Sequence, residues 1–190
     1  MADTEEKEII LIVEDGSCVP NANSYVSLDY ADEYMLNTGR TEWTSKTDNE
    51  KKSFLINATR YIDRTYSKIG WKGQKKYHRH QSLCFPRVEL FDKDGDEVLG
   101  IPKELMEAVC EAGYISITTS LFDIKDASGS VKRQKVDVLE VEYYSEEDSS
   151  GGYISRFSIL DSLLSDFYKK KGDGSRTKRA IHTDLLGGRI

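Results

Sequence analysis

His78, His80 and Cys84 lie close together in the chain, and imidazole nitrogens with a thiolate are the donor types that hold zinc. A structural zinc site takes four ligands. The next cysteine, Cys110, falls inside a predicted helix, so the set is one short and reads as a surface loop with scattered histidines. Asp92, Asp94 and Asp96 begin like a calcium loop, but an EF-hand needs Gly at its sixth position and Glu at its twelfth. Glu97 and Lys103 stand there instead, and the aspartates read as a turn around Gly95. Nucleophilic catalysis needs a Ser or Cys beside a His that a third group orients. No GxSxG, HExxH or phosphate-cradling glycine loop appears. Of the three histidines, two stand in a charged loop and His182 lies near the C-terminus. The sequence therefore predicts no enzyme, no metal and no cofactor.

The segment 71–80, Trp-Lys-Gly-Gln-Lys-Lys-Tyr-His-Arg-His, is the most suggestive chemically. Lys72, Lys75, Lys76 and Arg79 are candidate DNA-facing residues that can reach phosphates. Trp71 and Tyr77 can stack on bases, as single-strand binders combine the two contacts. Trp71 adjoins a predicted helix end, however, and is expected to anchor the loop in the core.

These residues need a frame. Ser27 can cap a helix over 27–37, with Asp29 in its first turn and Gly39 just past its end. Thr47 and Glu50 have capping-box spacing. Phe54, Leu55, Ala58, Tyr61, Ile62 and Tyr66 then recur at helical intervals, which predicts a helix over 47–66. Pro102 opens a third helix over 102–122, whose later part is β-branched. Ile159, Leu160, Leu163, Leu164 and Phe167 mark a last amphipathic helix over 155–168. Residues 131–144 alternate and suggest a hairpin or paired strand, and Ile9 to Val13 is long enough for one strand. The expected fold is mainly α, a small helical bundle with a short β-hairpin or strand pair and extended termini. The expected divisions are a disordered acidic N-terminus over 1–8, a helical domain over 9–168 and a basic flexible tail over 169–190.

The net charge of −6 conceals an asymmetry. Residues 169–190 carry +5 and residues 1–168 carry −11. An acidic body repels a duplex surface, so the tail reads as a separate docking element. Three cysteines without tight spacing argue against a disulfide framework. No apolar run reaches the roughly 20 residues that span a bilayer. The acidic N-terminus lacks the basic and apolar regions of a signal peptide, so nothing in the reading routes the chain to secretion or to a membrane.

Several segments together resemble a known family. They are Leu11-Ile12-Val13-Glu14-Asp15-Gly16, Ala22 to Ser27 with Ala31-Asp32 and Tyr34, and Ala58 to Asp63. Trp71-Lys72-Gly73, Gln81-Ser82-Leu83, Phe85-Pro86-Arg87, Asp92 to Gly95, Ile101-Pro102 and Val138 to Tyr143 complete the pattern. It is similar to a phage-encoded family labelled DnaT-like single-stranded-DNA-binding proteins, whose members resemble the head–tail connector (adaptor) proteins of tailed phages. The likeness covers about residues 9–145. Phe85 departs from it, since Trp is expected before Pro-Arg, and the basic tail lies outside it.

The resemblance implies a viral structural protein: a subunit of a homo-oligomeric, dodecameric ring at the head–tail interface of the virion, made in the host cytoplasm. Such a ring binds the portal protein and a tail-side connector or tail tube protein, and it lines the channel of DNA ejection with transient, non-specific contact to the genome. The family label implies single-stranded-DNA binding in phage replication instead. The −11 body favours the connector, because a dedicated DNA binder should present a basic groove. For the tail, Lys169, Lys170, Lys171, Arg176, Lys178 and Arg179 supply charge, and Ile181, Leu185, Leu186 and Ile190 supply apolar anchors. A segment of that kind is suited to folding on a partner, here the portal or a neighbouring subunit.

Overall fold

The computed structural model describes residues 8–122, 131–135, 140–143 and 157–169. Among these described residues, five α-helices make the fold mainly α: α1 (Leu28–Asn37), α2 (Thr41–Thr44), α3 (Asp48–Ile69), α4 (Lys103–Thr118) and α5 (Ser158–Leu164). Two antiparallel strand pairs accompany them. β1 (Gln74–Lys75) pairs with β2 (Arg87–Val88), and β3 (Val131–Lys135) pairs with β4 (Glu140–Tyr143).

Local chemistry sets the helix starts. The Ser27 side chain accepts from the Tyr30 amide and caps α1. Thr47 and Glu50 close the capping box of α3, each side chain bonding the other's backbone N–H. Gly70 ends α3 with a positive φ. Helix α4 begins after Pro102, as expected, but stops at Thr118 rather than near 122. Ile115, Ile117, Thr118 and Thr119 are β-branched and lose χ1 freedom in a helix. α5 covers only Ser158–Leu164 of the expected 155–168; residues 155 and 156 lie outside the described residues.

One expectation fails and one element is new. Ile9 to Val13 forms no strand. The Asn23 side chain takes the Ile12 amide, the Ile12 carbonyl accepts from Asn23 and Ser24, and a single bridge joins Val13 to Ser24. A side chain thus replaces the ladder. The short helix α2 was not foreseen; it folds because Trp43 is fully buried and its indole N–H donates to Asp32 at 2.6 Å.

The core lies where α3 packs on α4, with α5 packed against α4 and joined to α3 by the Tyr66 hydroxyl donating to Asp161 at 2.7 Å. Leu55, Ala58, Ile62 and Tyr66 of α3 are buried with Leu105, Ala108, Val109 and Ala112 of α4 and with Leu160 and Leu164 of α5. Each large aliphatic side chain buried this way contributes roughly 2 kcal/mol. Among the described residues, no helix is long and apolar enough to cross a membrane.

Candidate nucleic-acid interface

The loop after α3 is tied down from within. Trp71 is buried against Tyr66, Phe85 and the Tyr168 bridge. Arg87, also buried, reaches the carbonyls of Lys72 at 2.6 Å, Gly73 at 2.8 Å and Cys84 at 3.1 Å. Gly73 has φ +63, and a Cβ there would stand 2.5 Å from the Val88 carbonyl oxygen, so only glycine fits. Gln81 donates to the Leu83 and Pro86 carbonyls and accepts from the Tyr77 amide. Trp71-Lys72-Gly73, Gln81-Ser82-Leu83 and Phe85-Pro86-Arg87 therefore build one node, and the role of those motifs is to hold the loop's shape.

A second tie binds this node to α3. Asp63 accepts from the Tyr25 hydroxyl at 2.7 Å and from the Cys84 amide at 2.9 Å. Burial holds the Asp63 carboxyl above its ordinary range, against the opposing pull of those hydrogen bonds and of the nearby Lys75 charge. Lys75 thus lies beside the C-terminal half of α3.

That half of α3 carries residues the sequence reading missed. Arg60, Arg64 and Lys68 recur every four residues and are all exposed, so they form one ridge spanning about 12 Å at 1.5 Å per residue. Four ion pairs occur among the described residues, and none involves this ridge or Lys72, Lys75, Lys76, Arg79 or Lys169. Residues 60–80 hold seven basic groups and one acid, a local +6 within the −11 body. The spacing was legible, but the basic residues are separated in sequence by buried Tyr61, Ile62, Thr65 and Tyr66.

Of the predicted DNA-facing set, Lys75 is half-buried on β1 and lies near Asp63. Lys76 turns away: its ammonium lies 3.5 Å from the Gly16 carbonyl and over the Tyr77 ring. Arg79 is exposed on a 3-10 turn, His78–His80. Lys72 is half-buried at the bridge, its amide donating to the Phe167 carbonyl. Lys169 donates its amide to Gly70 and runs its side chain past that glycine, which adds it to the C-terminal end of α3. Lys170, Lys171, Arg176, Lys178, Arg179, Ile181, Leu185, Leu186 and Ile190 lie outside the described residues.

For stacking, Trp71 is unavailable. Tyr77 is exposed, and so is Phe122 (44%), which packs edge-on to Tyr61 with the Arg60 guanidinium 5.9 Å from its ring centroid. The ridge therefore begins at an aromatic face with a cation beside it.

His78 and His80 are exposed, whereas Cys84 meets the Ser67 hydroxyl at 3.2 Å. Asp92 accepts the amides of Asp94 and Asp96 as a turn. Among the described residues, no group of three His, Cys, Asp or Glu side chains is arranged to hold a metal ion.

Residues 9–182 match the profile of a family described as "Putative DnaT-like ssDNA binding protein". The chain belongs to that family. No curated protein and no solved structure matches it. The match extends the likeness beyond residue 145 into the tail, and it overturns the reading of the chain as a portal-binding head–tail connector or adaptor of the virion, together with the ring and DNA-ejection roles that came with it. The family's description names single-stranded-DNA binding, the alternative first set aside. The physical error was to treat −11 as a property of the whole surface. Charge acts locally in salt, and the positive charge is gathered on one half of α3 and the loop that follows.

Proposed function

We propose that the chain binds single-stranded DNA, with the phosphate backbone along Arg60, Arg64 and Lys68 and a base stacked on Phe122 beside Arg60. The observation that carries this reading is the exposed ridge of α3, whose cations have no ion-pair partner among the described residues. Such charges attract phosphates and release condensed counterions. The family's description supports the same polymer. Stacking on an exposed aromatic side chain favours single strands, whose bases expose their π-faces, over a duplex. Phosphate contacts carry no sequence information and stacking accepts any base, so little base preference is expected.

Fluorescence anisotropy with a labelled oligothymidylate tests this. Replacing Arg60, Arg64 and Lys68 together by Gln should weaken binding at least about tenfold and reduce the salt slope by about 2, since each phosphate contact to a single strand contributes roughly 0.7. Phe122→Ala should weaken single-strand binding about 5- to 100-fold while leaving any duplex binding unchanged. A triple variant that binds as tightly as the parent, with the same salt slope, would overturn the proposal.

A further inference from the structure

The ridge leaves the far end of the basic loop without a role. Tyr77 there is 52% exposed, and the Lys76 ammonium lies 5.8 Å from its ring centroid. Phe122 and Arg60 form the same kind of pair at 5.9 Å, so a second exposed ring carries a cation beside it. Tyr77 is also held from beneath. Gln81, only 4% exposed, accepts from the Tyr77 amide at 3.3 Å and donates to the Leu83 and Pro86 carbonyls at 3.1 and 3.0 Å. The His80 amide donates to the Tyr77 carbonyl at 3.1 Å. His78, next in the chain, has φ +50. A residue other than glycine keeps that left-handed conformation only where its surroundings enforce it, and such residues gather at ligand clamps. A merely solvated loop needs none of this bracing, whereas a ring that must meet a ligand in one place gains from it.

A surface path joins this ring to the ridge. Ser67 is exposed one turn after Arg64 and directly before Lys68. Its hydroxyl meets the Cys84 thiol at 3.2 Å. Cys84 in turn lies near the Lys75 charge, as Asp63 does, and Lys76 and Tyr77 follow Lys75. Ser67, Lys76 and Tyr77 are exposed, and Cys84 and Lys75 are half-buried, so the path stays at the surface. The charge along it is of one sign: residues 64–88 hold seven Lys or Arg and no Asp or Glu. Asp63, just before them, is engaged with the Tyr25 hydroxyl and the Cys84 amide. We propose that Tyr77 is a second base-stacking position for single-stranded DNA, reached from the ridge past Cys84 and Lys75, with Arg79 contacting the phosphate beyond it. The inference rests on the ridge reading and extends the strand from Phe122 at one end to the loop at the other.

The test compares the full chain's affinity for labelled oligothymidylates of about 4 and about 16 nucleotides, the ends of the common range of single-strand site sizes. The long oligomer should bind more tightly than its larger number of binding registers explains. Tyr77→Ala should weaken the long oligomer about 5- to 100-fold and the short one far less. Tyr77→Phe, which keeps the ring, should bind as the parent does. Arg79→Gln should lower the salt slope by about 0.7 for the long oligomer alone. These side chains are exposed, so urea midpoints equal to the parent's show that each variant is folded. If Tyr77→Ala binds the long oligomer as tightly as the parent, the proposal falls. An equal loss at both lengths would place Tyr77 inside the first position and overturn the extended path. The Arg60, Arg64 and Lys68 triple change, measured in the same titrations, separates the two readings: it should weaken both lengths, and if it weakens neither, the ridge reading itself fails whatever Tyr77 does.

Discussion

The two halves of α3 carry similar basic residues in different circumstances. In the first half, Lys51 is buried and pairs with Asp32 at 2.9 Å, while Lys52 pairs with Glu8 at 3.0 Å. In the second half, Arg60, Arg64 and Lys68 are exposed and have no ion-pair partner among the described residues. A lysine already paired inside the fold stabilises the fold, whereas one facing water unpaired remains available to an anion from outside. A charge count along the sequence cannot separate the two cases.

The largest effect should come from breaking the paired half. Asp32 accepts from both the Lys51 ammonium and the Trp43 indole. Asp32→Ala leaves a buried ammonium and a buried N–H without their partner, and should cost about 3 kcal/mol. Urea unfolding measures that loss. DNA affinity per folded molecule should not change, because nothing at Arg60 to Lys68 is touched. A variant of full stability would show that Lys51 is served by water and not by Asp32.

The scaffold under this comparison was largely written in local signals. Ser27, Thr47 with Glu50, and Pro102 marked helix starts that need only neighbouring residues to form. The hairpin near 131–144 followed from alternation and appears as β3 and β4. What sequence could not supply was tertiary. Helix α2 depends on Trp43 meeting Asp32, and the failed strand at 9–13 depends on Asn23 capturing the Ile12 amide. The ridge escaped notice because helical spacing disperses its charges among core residues, while the contiguous basic run at 71–80 stood out. The Trp71 anchor was inferred correctly, but that Phe122 stands exposed at the start of the ridge needed the fold.

A middle-sized effect concerns pH and sharpens the same division. Burial, then the Asp63 charge, pushes the Tyr25 hydroxyl well above its ordinary value. Burial and the hydrogen bond to Glu111 do the same for Tyr34. Both tyrosines stay protonated in the fold, whereas in the unfolded chain they ionise near pH 10. Unfolding above that pH releases protons, so their contribution is full below about pH 10 and declines as pH rises further, by at most roughly 1.4 kcal/mol per pH unit for buried Tyr25 and by less for the half-buried Tyr34, which solvent screens. Urea midpoints between about pH 8 and 11 should be level at first and then fall. Tyr34→Phe should flatten part of the decline. Neither tyrosine lies on the ridge, so Tyr34→Phe should leave DNA binding at pH 8 unchanged.

The smallest effect is the most discriminating. Lys52 and Lys68 lie on the same helix, and each can be changed to Gln with little loss of helix propensity. Neither should alter stability much. Lys52 pairs with Glu8, which is itself 81% exposed, and such surface pairs contribute about 0 to 1 kcal/mol. Lys68 has no ion-pair partner among the described residues, although it does sit in the last turn of α3, where a cation gains about 0.3 to 1 kcal/mol from the helix dipole. Stability alone therefore cannot tell them apart, but the salt dependence of DNA binding can. A lysine that neutralises a phosphate removes roughly 0.7 from the slope of log affinity against log salt when it is lost. Lys68→Gln should show that decrement and Lys52→Gln should show none, with both variants folded to the same urea midpoint within error. Equal decrements would mean that the whole protein field, rather than the unpaired half of α3, attracts the strand. The distinction between paired and free cations would then carry no functional weight.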